Sequence, residues 1–246
     1  MTEAWVAAVE DRIQDFAARF SAVYSVSERE VAASFEIGCF HALLDSYEDS
    51  CDLAPQNLNK TGEYRYLTTP SGNPANFSFV ALRRKVATTA EYELRQQVRI
   101  RSHIHDDIMV TPDLVVLRTN SAFGGSRDAD YAGGKRGLFV VNSAQVIAAH
   151  ECKSLPPFPE LLVSFLGILE VVHPWFDHLH ADLVSNASDG IHLAPSLFVG
   201  GASRALQSRM ADALRERFPV NMILGLHSVG WDIMGRPLRR LPSALN

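Results

Sequence analysis

The chain reads as an α/β protein, with a mixed central sheet flanked by helices and preceded by a helical N-terminal region. Three observations carry that expectation. Apolar residues recur at helical spacing through the first two segments. From Glu93 onward the order is strand, strand, strand, helix, strand, helix, strand. A hydrophobic content of 47% over 246 residues suffices for a sizeable buried core. No internal repeat or flexible linker divides the sequence, so residues 1–90 are expected as a helical region packed on a core of residues 91–246, together one structural domain.

Thr2 is placed to cap a first helix in which Trp5, Val9, Ile13, Phe16, Ala17 and Phe20 share a face, while Glu10, Asp11 and Asp15 face water. Ser27 and Glu30 form a capping box for a second helix, whose stripe is Val31, Phe35, Cys39, Ala42 and Leu43. Glu36 stands at the edge of that buried face, beside Ala33, Cys39 and Phe40. Residues 45–76, with Pro55, Pro70, Gly72 and Pro74, read as irregular surface chain containing one short ordered piece around Tyr64 to Leu67. Phe77 to Val86 reads as a strand or a short helix bearing Arg83, Arg84 and Lys85.

Alternation is cleanest from Glu93 to Arg101. Leu94, Gln96, Val98 and Ile100 fall on one face, and Arg95, Gln97, Arg99 and Arg101 on the other. Arginine donates paired hydrogen bonds to phosphate oxygens, so Arg95, Arg99 and Arg101 are candidates for tracking a nucleic-acid backbone; the same charges would also protect an edge strand. A strand follows Pro112-Asp113 as Leu114 to Leu117, and another runs from Val146 to Lys153. The insertion between them holds Gly124, Gly125, Gly133 and Gly134. Pro156, Pro157 and Pro159 lead into a helix from Glu160 to Val172, apolar nearly all round and ended by Pro174. Such a helix lies in the core or in a dimer interface, which leaves a homodimer open. His173, Asp177, His178, His180 and Asp182 read as surface or local hydrogen-bonding groups. Leu197 to Val199 is a short strand, Gly200-Gly201 a turn, Ser203 the cap of a helix reaching Arg217, and Met222 to Leu226 the last strand.

Composition narrows the setting. Cys39, Cys51 and Cys152 are few, odd in number and unclustered, which fits a reducing compartment and neither a disulfide framework nor a zinc site. The N-terminus lacks a basic segment, and no apolar stretch is long enough to span a bilayer, so a soluble cytoplasmic protein without membrane contact is expected. A net charge of -5 argues against indiscriminate nucleic-acid binding, so any basic surface must be local.

Side chains alternate along a strand, so Glu151 and Lys153 point one way and Cys152 the other. If the strand after Asp113 pairs with this one, Asp113 and Glu151 can share a divalent metal, with Lys153 facing the anion that metal holds. In Pro112-Asp113 and Glu151-Cys152-Lys153 the chain resembles the PD-(D/E)xK nuclease superfamily, whose fold is restriction-endonuclease-like. The glycine-bearing insertion is a departure, since it sets the two half-motifs unusually far apart. The resemblance implies a Mg2+-dependent deoxyribonuclease, an endonuclease, with Mn2+ as an alternative metal and DNA as substrate in restriction, repair or defence. It implies Asp113, Glu151 and the Cys152 carbonyl as metal ligands, and Lys153 as the group that orients water or stabilises the transition state. Many members complete the site with an acid on a helix ahead of the core. That implies Glu36 as a further catalytic and metal-binding residue.

Two other readings stay open. His103-Ile104-His105 puts two imidazoles on one strand face, with Asp106 and Asp107 nearby, and this suits a metal-dependent hydrolase. A non-catalytic member of the same fold would bind nucleic acid or a nucleotide without cutting it.

Overall fold

The computed structural model describes residues 4–20, 31–70, 73–121, 123–124, 139–178, 190–229, 231, 233 and 235–243. Thr2, Ser27, Glu30, Gly72, Gly125, Gly133, Gly134, His180 and Asp182 lie outside the described residues.

Helices α1 (Ala4–Phe20) and α2 (Val31–Asp45) open the chain. Trp5, Val9, Ile13 and Phe16 of α1 are buried, as their helical spacing predicts. Helix α2 is buried along nearly all of its described length, and packs on the central sheet.

That sheet has seven strands in the order β1 (Cys51–Gln56), β2 (Phe79–Arg84), β3 (Tyr92–Gln96), β6 (Leu114–Arg118), β8 (Val146–Lys153), β9 (Ser196–Val199) and β10 (Asn221–Ile223). A second sheet has three strands, β5 (Met109–Val110), β4 (Arg99–Arg101) and β7 (Val140–Asn142). From β1 to β8 the large sheet is antiparallel; β8, β9 and β10 are parallel. Parallel neighbours need a crossover, supplied by α3 (Pro159–Val172) between β8 and β9 and by α4 (Ala205–Arg217) between β9 and β10.

Both faces of the sheet are covered. On the α2 side Phe35, Phe40 and Leu43 meet Leu94, Leu114, Val116, Ala148 and Phe198. On the other side Leu162, Phe165 and Leu169 of α3 meet Val115, Leu117, Ala149 and Leu197. This two-sided burial explains the unbroken apolar runs of β6 and β8, where a half-exposed strand would alternate. Burial of α3 against the sheet accounts for most of its apolar surface, although Val163 stays exposed.

Several elements differ from expectation, each for a local reason. Residues 45–76 contain β1, and Pro55 sits within it; β1 is an edge strand, where a residue without an N–H is tolerated. The N-terminal 90 residues are therefore not helical alone, because β1 and β2 belong to the same sheet as β3. The stretch from Glu93 to Arg101 is two strands in two sheets, broken at Gln97 by a left-handed backbone with φ 51°. The last strand ends at Ile223, and Gly225, with φ 80°, turns the chain into α5 (Leu226–Val229). Arg204, not Ser203, occupies the cap position of α4. His173 is buried against Trp175 and not at the surface. Among the described residues no helix is long and apolar enough to cross a membrane.

Candidate active site

The pairing of β6 with β8 builds the site. Leu114 lies opposite His150 in an antiparallel register, so the next position along places Asp113 across from Glu151. Lys153 Nζ then reaches both carboxylates, donating to Glu151 Oε2 at 2.6 Å and to Asp113 Oδ2 at 3.0 Å. The backbone N–H of Cys152 also donates to Asp113 Oδ2, at 2.7 Å. Continuing the register puts Pro112 across from Cys152. Having no N–H, Pro112 offers nothing to the Cys152 carbonyl. The Cys152 thiol points into the α2 layer and meets Cys39.

Glu36 arrives from α2, on one face of the sheet, and is 7% exposed. Two consecutive glutamines tie it in. Gln96 Nε2 donates to Glu36 Oε1 at 3.3 Å, while Gln97 Nε2 donates to Glu36 Oε2 at 3.1 Å and to Asp113 Oδ1 at 3.0 Å. Asp113, Glu151, Lys153 and Glu36 thus form one hydrogen-bonded cluster at the ends of β3, β6 and β8. The glutamines were not singled out from sequence. Their signal is a polar pair closing the apolar face of a strand, where Gln96 stands in line with Leu94.

The cluster sets three carboxyl groups against one ammonium. Burial, then the neighbouring Asp113, raises the Glu36 carboxyl to about 8, against the opposing pull of Gln97, Gln96 and Lys153. Burial and Asp113 also raise Glu151, with Lys153 opposing them. Burial works against the Lys153 charge, but Asp113 and Glu151 outweigh it and hold the ammonium firmly protonated.

The arginines separate. Arg95 is buried, bonded to Glu93 at 2.6 Å and laid over the Phe79 ring at 3.6 Å, so it faces no solvent-borne phosphate. Its role as a nucleic-acid contact is corrected to a packed core ion pair. Arg99 and Arg101 lie in the small sheet on either side of the buried Ile100, half-buried themselves, and β4 begins two positions after Gln97.

The histidines of the β4–β5 turn do not converge. His103 Nε2 donates to the Glu170 carbonyl of α3 at 2.7 Å, whereas His105 accepts the N–H of Asp107 at 3.2 Å within its own exposed turn. Among the described residues, three His, Cys, Asp or Glu groups do not already stand as a metal cage, here or at Glu151, where the Lys153 ammonium lies against the carboxylates. Comparison with protein-family models, curated proteins and solved structures gave no match to this chain.

Proposed function

We propose that the chain is a metal-dependent nuclease with a restriction-endonuclease-like core, acting as an endonuclease on DNA. The observation that carries this reading is the convergence of Asp113 and Glu151 on Lys153, with Glu36 joined to them from α2. A mixed sheet in which β6 pairs antiparallel with β8, and a helix crosses from β8 to a parallel β9, supports it.

The donor set suits a hard cation, since every candidate ligand is an oxygen and one ammonium faces two carboxyl groups, with Glu36 joined to them through Gln97. Asp113, Glu151, the Cys152 carbonyl and Glu36 would hold Mg2+ or Mn2+, which when bound activates water and offsets charge growing on the phosphate. Lys153 is held protonated by its carboxylates, so it donates to an anionic oxygen in place of acting as a base. Arg99 and Arg101 would contact the DNA backbone beside the site.

Incubating a panel of linear, nicked and supercoiled DNA with Mg2+ or Mn2+ tests the reading. Wild-type protein is expected to cut and Asp113→Asn to leave DNA intact. Wild-type protein that cuts nothing with either metal sinks it.

A further inference from the structure

Gln97 is the one non-asparagine side chain, among the described residues, on a left-handed backbone: φ is 51° there, and the other non-glycine positions with positive φ are Asn57 and Asn120. Asparagine accepts this region through its short polar side chain, but a long side chain such as glutamine seldom adopts it. The conformation has a consequence for the site. Consecutive residues of an extended strand send their side chains to opposite faces, so Gln96 and Gln97 could not both reach one carboxylate if β3 simply continued. They do both reach Glu36, because the chain turns at Gln97. The same turn lets the Gln97 backbone N–H donate to the Asp113 carbonyl at 2.9 Å, and its side-chain amide donate to Asp113 Oδ1. A terminal amide has two N–H groups, and here each is spent on a different carboxylate.

We infer that Gln97 is the positioning residue of the site, a bridge that fixes the Glu36 carboxylate of α2 against the Asp113 carboxylate of β6. The inference rests on the metal-site reading above and deepens it. Glu36 belongs to a helix on one face of the sheet, and Asp113 to a strand end. Apart from Gln97, no described hydrogen bond links the two acids. The amide touches no reacting atom; it acts through the two acids, holding them at one separation and one orientation. A wholly apolar side chain at this place would leave no hydrogen-bonding group between the Glu36 and Asp113 carboxyl groups.

Isothermal titration of Mn2+ into Gln97→Met, Gln97→Gly, Glu36→Gln and the Gln97→Met/Glu36→Gln double variant tests this, with cleavage measured in parallel. Methionine keeps the length and volume of the side chain, and glycine keeps the left-handed backbone, so the two remove the amide from opposite directions. Each single variant is expected to bind Mn2+ roughly tenfold more weakly, the lower end of what loss of an orienting outer partner costs. The double variant should be no weaker than Glu36→Gln by more than about threefold, because Gln97 acts on the metal through Glu36 and has little more to lose once Glu36 is changed. Wild-type affinity in Gln97→Met, or a hundredfold additive loss in the double variant, overturns the inference. So does a lower melting temperature in EDTA with unchanged Mn2+ affinity, which is what a purely structural role would give. If wild-type protein binds no Mn2+, the metal-site reading falls and this inference with it. If wild-type protein binds and the Gln97 variants bind equally well, the inference alone falls.

Discussion

At the ends of β6 and β8, Asp113 and Glu151 come from distant parts of the chain and are brought face to face; in the turn after β4, His103, His105, Asp106 and Asp107 are neighbours in sequence, yet His103 bonds to α3 while His105 and Asp107 pair locally in an exposed turn. The first group is largely buried, the second exposed. Exposed charged and imidazole groups cost almost nothing to keep, because water solvates them wherever they point. Buried charges cost several kcal/mol each unless partners are arranged around them. A cluster such as Glu36, Asp113, Glu151 and Lys153 therefore weighs more as a sign of function than a richer string of ligand types in a solvated turn.

Lys153 gives the comparison its hardest test. Lys153→Ala is expected to leave metal and DNA affinity nearly intact while slowing single-turnover cleavage by about a hundredfold or more, the scale of one lost electrostatic group. His103→Ala and His105→Ala should cleave at the wild-type rate. The reverse pattern would move the chemistry to the β4–β5 turn.

The arginines sharpen the same contrast between buried and exposed charge. Arg95→Ala leaves Glu93 buried without its partner, so unfolding should become easier by about 3 kcal/mol, with DNA affinity unchanged in the folded fraction. Arg99→Ala with Arg101→Ala should do the opposite. Stability should hold, DNA binding should weaken uniformly across sequences, and the log-log salt slope should flatten by roughly one to two units. Equal slopes in wild type and variant would remove these arginines from the proposed DNA interface.

Sequence made part of this visible. Continuous apolar runs with Asp and Glu-x-Lys at their ends give β6, β8 and the candidate acids, because strand periodicity is local. Burial is not local. Helical spacing puts Glu36 at the edge of a helix face, yet Gln96 and Gln97 close over it; Arg95 shares an alternating pattern with Arg99 and Arg101, yet Phe79 and Glu93 enclose it. Pro55 looks like a strand breaker until its strand proves to be an edge. The break at Gln97 has no propensity signal, since glutamine neither favours a left-handed backbone nor ends strands; tertiary bonds to Asp113 and Glu36 impose it.

Glu36 supports the reading at a smaller scale. Glu36→Gln should lower cleavage about tenfold at limiting Mg2+ and much less at saturating Mg2+, as loss of one supporting ligand does. An equal loss at both concentrations would indicate a folding defect and detach Glu36 from the site.

The histidines of the core contrast with those of the turn. His41 of α2 is buried among Phe16, Phe40 and Tyr66, hydrogen-bonded to the Tyr66 hydroxyl at 2.6 Å. Burial, and then the Arg12 charge, lowers its pKa from 6.5 to about 3. Asp45, one helical turn beyond His41 on α2, is the acid that Arg12 pairs with. With the folded pKa depressed, the unfolded chain binds more protons between pH 3 and 6.5, so stability is full above 6.5 and is lost as pH falls through that window. The slope is about 1.4 kcal/mol per pH unit for a single group. His41→Phe keeps an aromatic ring in the cluster and removes the titration. Urea unfolding at a series of pH values should therefore give a variant that is less stable than wild type at pH 7 but declines more slowly toward acid. Parallel curves for wild type and His41→Phe would mean that the His41 ring takes up its proton in the folded protein, and would remove the contrast between core and turn.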